Sequence, residues 1–157
     1  MMKAKELKIE KWLNVNEVFE LNVESRKIKV IHVFQMLCPG CVYRGIPQTI
    51  ELFNKFNGTE VAVVGLHSVF ENHHVMTAEA LEVFIHEWRL PFPVGIDLRL
   101  EGQWMPETMR TYQLQGTPSL IIIDHLGEVK LSAFGHLDLD RVESLISSLI
   151  IKMKTSV

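Results

Sequence analysis

The sequence predicts an α/β fold in which apolar strand segments alternate with amphipathic helical segments. Strand-like runs at 28–34, 61–66 and 93–97 are each followed by a helix-like segment. Two further strand-like segments, 119–124 and 128–134, are joined by a short turn, and a last helix follows them. Because strand–helix alternation is typical of parallel strands, we expect a parallel sheet to which the terminal hairpin adds an antiparallel edge.

The first of these strands and the helix after it are the best-defined elements. The later half of 28–34 is almost entirely apolar, which predicts burial on both faces, with His32 as the exception. The helical segment 43–56 follows, and its apolar residues recur at helical spacing. Pro47 lies inside this segment, lacks a backbone N–H, and should kink the helix.

The remaining elements are predicted from their end signals. Thr77 is a plausible N-cap for a helix, and the short helix 106–112 has a proline at its start, where proline is tolerated. Gly127 fits the positive φ that the hairpin turn requires. Asp138 or Asp140 is predicted to cap the last helix.

Length and composition restrict the class of protein. A chain of 157 residues should form a single domain, 1–157, on which residues 1–27 pack as an N-terminal extension. The net charge of −3 gives no reason to expect nucleic acid as a partner. The start of the chain has no apolar run of signal-peptide length, and no segment approaches the length of a membrane span. The chain as given is therefore expected to be cytoplasmic, while its oligomeric state is open.

The only two cysteines lie three positions apart in Cys38-Pro39-Gly40-Cys41, between the strand 28–34 and the following helix. A cysteine at a helix N-terminus meets unpaired backbone N–H groups and the positive end of the helix dipole, and both favour thiolate. Pro39 suits the first helical turn, and Gly40 adds no side chain beside the sulfurs. This arrangement indicates a thiol–disulfide redox site.

Two other interpretations of the cysteine pair are a zinc site and an inert pair. Zinc needs four ligands, commonly from a second Cys or His pair at fixed spacing, and the sequence has no such pair. His73 and His74 are adjacent and would point to different sides of a regular element. Redox chemistry is therefore the preferred interpretation, with no metal and no organic cofactor.

Together with Gly116-Thr117-Pro118 before an apolar strand, the motif resembles the thioredoxin-like superfamily. The long segment 65–115 looks like its TlpA and AhpC/TSA (redoxin) branch, and the resemblance covers about residues 10–150. It implies a thioredoxin-like fold, a central mixed sheet with helices on both faces. It also implies a thiol–disulfide oxidoreductase that acts on a disulfide-containing protein or a small-thiol substrate and is served by a reducing partner.

The resemblance further implies roles for four residues. Cys38 would attack a disulfide, and Cys41 would resolve the mixed disulfide. Pro118 would follow a cis peptide bond beside the sulfurs, and the backbone of Thr117 would pair with an extended substrate. The substrate, the direction of electron flow and the reduction potential are open.

Three positions depart from the family pattern. Leu37 replaces a common aromatic residue before Cys38, which weakens inferences about substrate docking. His32 occupies the position of a buried acid, so it is a candidate for proton transfer to or from Cys41, the alternative being a core histidine bonded to backbone. Gln35 stands where peroxiredoxins have a threonine, which argues against peroxide reduction. That activity and a redox-sensing or binding module without turnover are the alternative functions.

The other histidines are predicted to be structural or solvated rather than ligands. His125 falls in the hairpin turn. Four more, His67, His73, His74 and His86, are predicted to be surface residues.

Overall fold

A computed structural model of the protein describes residues 2–16 and 19–155. The strands within this part of the chain are β1 Ile9–Leu13, β2 Ile28–Phe34, β3 Val61–His67, β4 Val94–Asp97, β5 Ser119–Ile123 and β6 Val129–Phe134. The helices are α1 Ile46–Phe56, α2 Ala78–Trp88, α3 Glu107–Thr111 and α4 Leu139–Thr155. The strands form one sheet in the order β1-β4-β3-β2-β5-β6.

The sheet is mixed, as predicted. Strands β2, β3 and β4 are parallel, and β2 and β3 pair in register from Ile28 beside Val61 to Phe34 beside His67. Strand β5 is antiparallel to β2, and β6 is antiparallel to β5. Of the predicted hairpin, only β6 is an edge strand, because β5 lies inside the sheet against β2. The predicted fold class is confirmed.

Strand β2 is buried along its whole length, which confirms the prediction of burial on both faces. Ile28 and Val30 pack with residues of α1 and α4. Ile31 and Val33 point to the opposite face, where they pack with residues of α3 and of the N-terminal segment. The strand that leads into the cysteine motif is thus fixed from both sides.

The N-terminal segment contributes to the sheet itself. Strand β1 pairs antiparallel with β4 at one edge, and Lys3 bridges Glu128 in the hairpin turn near the other edge. Between the two, Lys29 of β2 is fully buried, and its ammonium group donates hydrogen bonds to the carbonyls of Val23 and Ser25. Of the predicted extension 1–27, residues 1, 17 and 18 lie outside the described residues.

The helix after the cysteine motif is irregular where the sequence predicts a kink. It begins at Pro39, passes through a π-turn at Cys41–Gly45 and continues as α1. Ile46 donates its N–H to the Cys41 carbonyl, five residues back. Pro47, next in sequence, has no N–H to donate to the preceding turn, so the wider turn lies where a regular hydrogen bond is missing. None of the described helices is long and apolar enough to span a membrane.

Candidate active site

The two cysteines differ in exposure, as the sequence predicts. Both are free thiols; Cys38 is partly exposed, and Cys41 is fully buried. Cys41 donates its backbone N–H to the Cys38 sulfur at 3.4 Å, and Val42 donates to the Cys38 carbonyl at 3.1 Å. Cys38 therefore caps the helix that begins at Pro39, with its sulfur in the place where a serine or aspartate oxygen usually lies.

The segment before β5 lies directly against the motif. The Thr117–Pro118 peptide bond is cis, as the resemblance implies. The Cys38 thiol donates to the Thr117 carbonyl at 3.6 Å, and a Cβ atom on Gly40 would lie 3.6 Å from Cδ of Pro118. Thr117 and Pro118 are half-buried beside the partly exposed Cys38.

Burial dominates the chemistry of the second thiol. It raises the pKa of Cys41 to about 12, and the hydrogen bond and charge of Cys38 act in the same direction. Two donors oppose this rise in pKa, the backbone N–H of Gln35 and the hydroxyl of Thr117. Cys41 is therefore a protonated thiol at neutral pH while the Cys38 sulfur is free.

His32 lies beneath the π-turn that contains Cys41. It is buried, and burial lowers its pKa to about 4, so the ring is neutral at pH 7. One ring nitrogen hydrogen-bonds to the Cys41 carbonyl, whereas Nε2 has no partner among the described residues. A Cβ atom on Gly45 would lie 2.7 Å from Nε2, so only glycine fits above the ring. The structure thus shows the backbone hydrogen bond expected of a core histidine. It also places the His32 ring next to Cys41, as proton transfer would require.

Gln35 has a larger part in the site than the sequence predicts. It is buried, and its amide oxygen accepts the Phe70 backbone N–H at 3.2 Å. Its amide nitrogen lies 3.4 Å from the Thr117 hydroxyl and 3.5 Å from Oε1 of Glu71. The signal in the sequence was a polar residue between a buried strand and the cysteine motif.

The prediction that His67 is a surface residue is wrong. His67 ends β3 and pairs with Phe34 of the fully buried β2, and its side chain is buried. Its Nε2 accepts the Met36 backbone N–H at 3.1 Å, and burial lowers the pKa of His67 to about 3. The neutral ring therefore holds the turn that precedes Cys38. Of the other predicted surface histidines, His74 and His86 are exposed and His73 is half-buried.

Among the described residues, no group of three or more histidine, cysteine, aspartate or glutamate side chains is placed so that it could hold a metal ion. The two sulfurs therefore have no further ligands of that kind around them within this part of the chain.

Comparison with solved structures gives the family. A thiol-disulfide isomerase from Corynebacterium glutamicum is 44% identical over 93% of this chain and 94% of its own, with a TM-score of 0.87. The chain belongs to the thioredoxin-like superfamily. A structure described as a thioredoxin-like superfamily protein is 43% identical over 96% of this chain and 97% of its own, with a TM-score of 0.89. The predicted class, a thioredoxin-like thiol–disulfide oxidoreductase, is confirmed by these relatives.

More distant structures share the thioredoxin-like fold. StoA from Bacillus subtilis is 19% identical over 78% of this chain and 84% of its own, with a TM-score of 0.62. At this identity the likeness shows the fold alone. No protein-family model and no curated protein matches this thioredoxin-like chain.

Proposed function

We propose that this chain catalyses dithiol–disulfide exchange through Cys38 and Cys41, with disulfides of proteins or small molecules as substrates. The Cys38 thiolate attacks one sulfur of the substrate disulfide, which forms a mixed disulfide and releases the other sulfur as a thiolate. Cys41 then loses its proton to a base and attacks the Cys38 sulfur. The second substrate thiolate leaves, and the Cys38–Cys41 disulfide remains. A reducing partner, a dithiol, returns the pair to its starting state.

The observation that carries this proposal is the asymmetry of the two thiols at one helix N-terminus. Cys38 is partly exposed and can meet a substrate, while Cys41 is buried and its N–H lies 3.4 Å from the Cys38 sulfur. The Thr117 carbonyl, 3.6 Å from that sulfur, supports pairing with the backbone of an extended substrate. Leu37, which is 56% exposed beside Cys38, offers an apolar contact.

Formation of the mixed disulfide itself prepares the second step. The hydrogen bond and the charge of Cys38 help to raise the pKa of Cys41. Once the Cys38 sulfur is bonded to substrate it carries neither a thiol proton nor a negative charge. The pKa of Cys41 then falls, and the donors from Gln35 and Thr117 remain to stabilise its thiolate.

The test is an exchange assay with the reduced chain. We expect it to reduce insulin or a small aromatic disulfide, to become oxidised at Cys38–Cys41, and to turn over when a dithiol is supplied. Titration of the pair against glutathione would give its reduction potential. A measurable potential without disulfide exchange would support a redox-sensing module instead, and consumption of peroxide in preference to disulfides would support peroxide reduction.

We also propose His32 as the proton acceptor when Cys41 resolves the mixed disulfide. The support is its neutral ring, its contact with the Cys41 backbone and its unpartnered Nε2. His32→Gln should slow resolution about tenfold, less than acid–base catalysis usually contributes, because its pKa of about 4 makes the ring a weak base. The first attack by Cys38 should be almost unchanged.

Rapid-quench trapping of the mixed disulfide measures the two steps separately. Circular dichroism should show that the variant keeps the fold. Equal resolution rates in the variant and the wild type would leave His32 as a packing residue.

A further inference from the structure

The amide of Gln35 is held in one orientation within the site. Its oxygen accepts the Phe70 backbone N–H, so the amide nitrogen has to face the other way, toward Thr117 and Glu71. Gln35 is 1% exposed, and its backbone N–H also acts as a donor to Cys41. The backbone of Gln35 therefore lowers the pKa of the resolving thiol, and its side chain reaches Thr117, whose hydroxyl lowers the same pKa.

The Thr117 hydroxyl lies next to the Gln35 amide. A hydroxyl has one proton to donate and can accept hydrogen bonds at the same oxygen. Here the oxygen faces the Gln35 amide nitrogen at 3.4 Å, and the hydroxyl lowers the pKa of the Cys41 thiol. When the Gln35 amide N–H donates to the hydroxyl oxygen, the hydroxyl proton is free to donate to the Cys41 sulfur. The same hydrogen bond polarises the O–H bond.

We propose that Gln35 is a positioning residue for resolution: its buried amide donates to the Thr117 hydroxyl and directs the proton of that hydroxyl to the Cys41 sulfur. This inference rests on the proposed exchange reaction. The hydroxyl stabilises the Cys41 thiolate, the nucleophile of the second step, and Gln35 does not touch the substrate. The contact of 3.4 Å is long for a ground state and should shorten when the thiolate forms.

The experiment follows release of a coloured aromatic thiol from a mixed disulfide formed at Cys38, over a range of pH. Thr117→Val removes the hydroxyl but keeps the shape of the side chain. It should slow resolution about tenfold, as expected for the loss of a hydrogen bond to a charged group. Gln35→Met keeps the length of the side chain but cannot donate, and it should slow resolution about threefold. In both variants the rise of the rate with pH should move to higher pH.

A second variant of Gln35 separates loss of the amide donor from loss of the hydrogen bond with Phe70. Gln35→Glu keeps an oxygen acceptor for the Phe70 N–H, and where its carboxylate is ionised, at the alkaline end of the pH range, it cannot donate to Thr117. It should also slow resolution. In the Thr117→Val background, Gln35→Met should then change the resolution rate by less than about twofold, because the hydroxyl that the amide orients is absent.

Gln48→Met is the matched control. Gln48 lies on α1, and its side-chain amide N–H donates to the Leu137 carbonyl at 2.7 Å. This variant should keep both rates. The inference is overturned if Gln35→Met and Gln35→Glu leave resolution and its pH profile unchanged, if they slow the first attack equally, or if their effects persist undiminished without the Thr117 hydroxyl. A wild-type mixed disulfide that never releases the thiol would instead overturn the proposed function.

Discussion

Cys38→Ser should lower disulfide exchange at least about 1,000-fold, because a serine hydroxyl is not ionised at neutral pH and the chain then lacks its exposed nucleophile. The cap of the helix should survive, since a serine oxygen can accept the Cys41 N–H as the sulfur does. The variant should therefore keep the stability of the wild type. The measurement is the rate of reduction of a small aromatic disulfide, together with urea unfolding.

Cys41→Ser is the matched variant, and it should fail at a different step. Cys38 remains exposed and should still attack, so the mixed disulfide should accumulate and be visible by mass spectrometry of the intact chain. Iodoacetamide in limiting amount should label Cys38 of the reduced wild type in preference to the buried Cys41. Preferential labelling of Cys41, or a trapped disulfide in Cys38→Ser, would reverse the assigned roles.

Acid should destabilise the fold through two buried histidines. Burial lowers the pKa of His32 to about 4 and of His67 to about 3, from an ordinary value of 6.5. Between pH 6.5 and these values the unfolded chain binds more protons than the folded one, so stability falls as pH falls. From pH 7 to pH 5 each histidine should lower the free energy of unfolding by about 2 kcal/mol. Asp97, whose pKa burial raises, has the opposite effect on stability at acid pH.

Urea unfolding at pH 7 and pH 5 gives the two free energies directly. The double variant His32→Gln/His67→Gln should lose most of the difference, and a glutamine at 67 still offers an oxygen to the Met36 N–H. The exposed pair His74→Gln/His86→Gln should keep the wild-type difference. Equal stability of the wild type at both pH values would contradict the assignment of these histidines as buried neutral groups.

The fold was predictable because its elements have strong local signals. The apolar run 28–34 becomes β2 with the same bounds, Thr77 caps α2 by accepting the Ala80 N–H, and Gly127 has a φ of 81°. The end of β3 was not predictable in this way. His67 is polar and follows Leu66, so the pattern ends the strand there, yet pairing with β2 extends the buried strand by one residue. The His67 side chain is therefore buried because of strand pairing, which the local sequence does not show.

The parts of the site that belong to sequence motifs were predictable. Cys38, Cys41 and the Thr117–Pro118 bond come together because β5 pairs with the strand that precedes the motif. The surroundings of Cys41 depend on side chains whose partners are remote in sequence, and a single sequence gives no distances between them. Gln35 follows β2 and contacts Glu71, which follows β3, and Thr117, which precedes β5, so its hydrogen bonds are visible only in three dimensions.

The distance in sequence between the two halves of the site has a consequence for synthesis. Thr117 follows Cys38 by 79 residues, and β5 inserts beside β2 only after β3, β4 and three helices have been made. A nascent chain that ends before β5 already contains both thiols, but it lacks the strand that covers β2 and the carbonyl that faces Cys38. Such long-range pairing forms late. The thiols therefore exist on the ribosome before the environment that makes one of them accessible and shields the other.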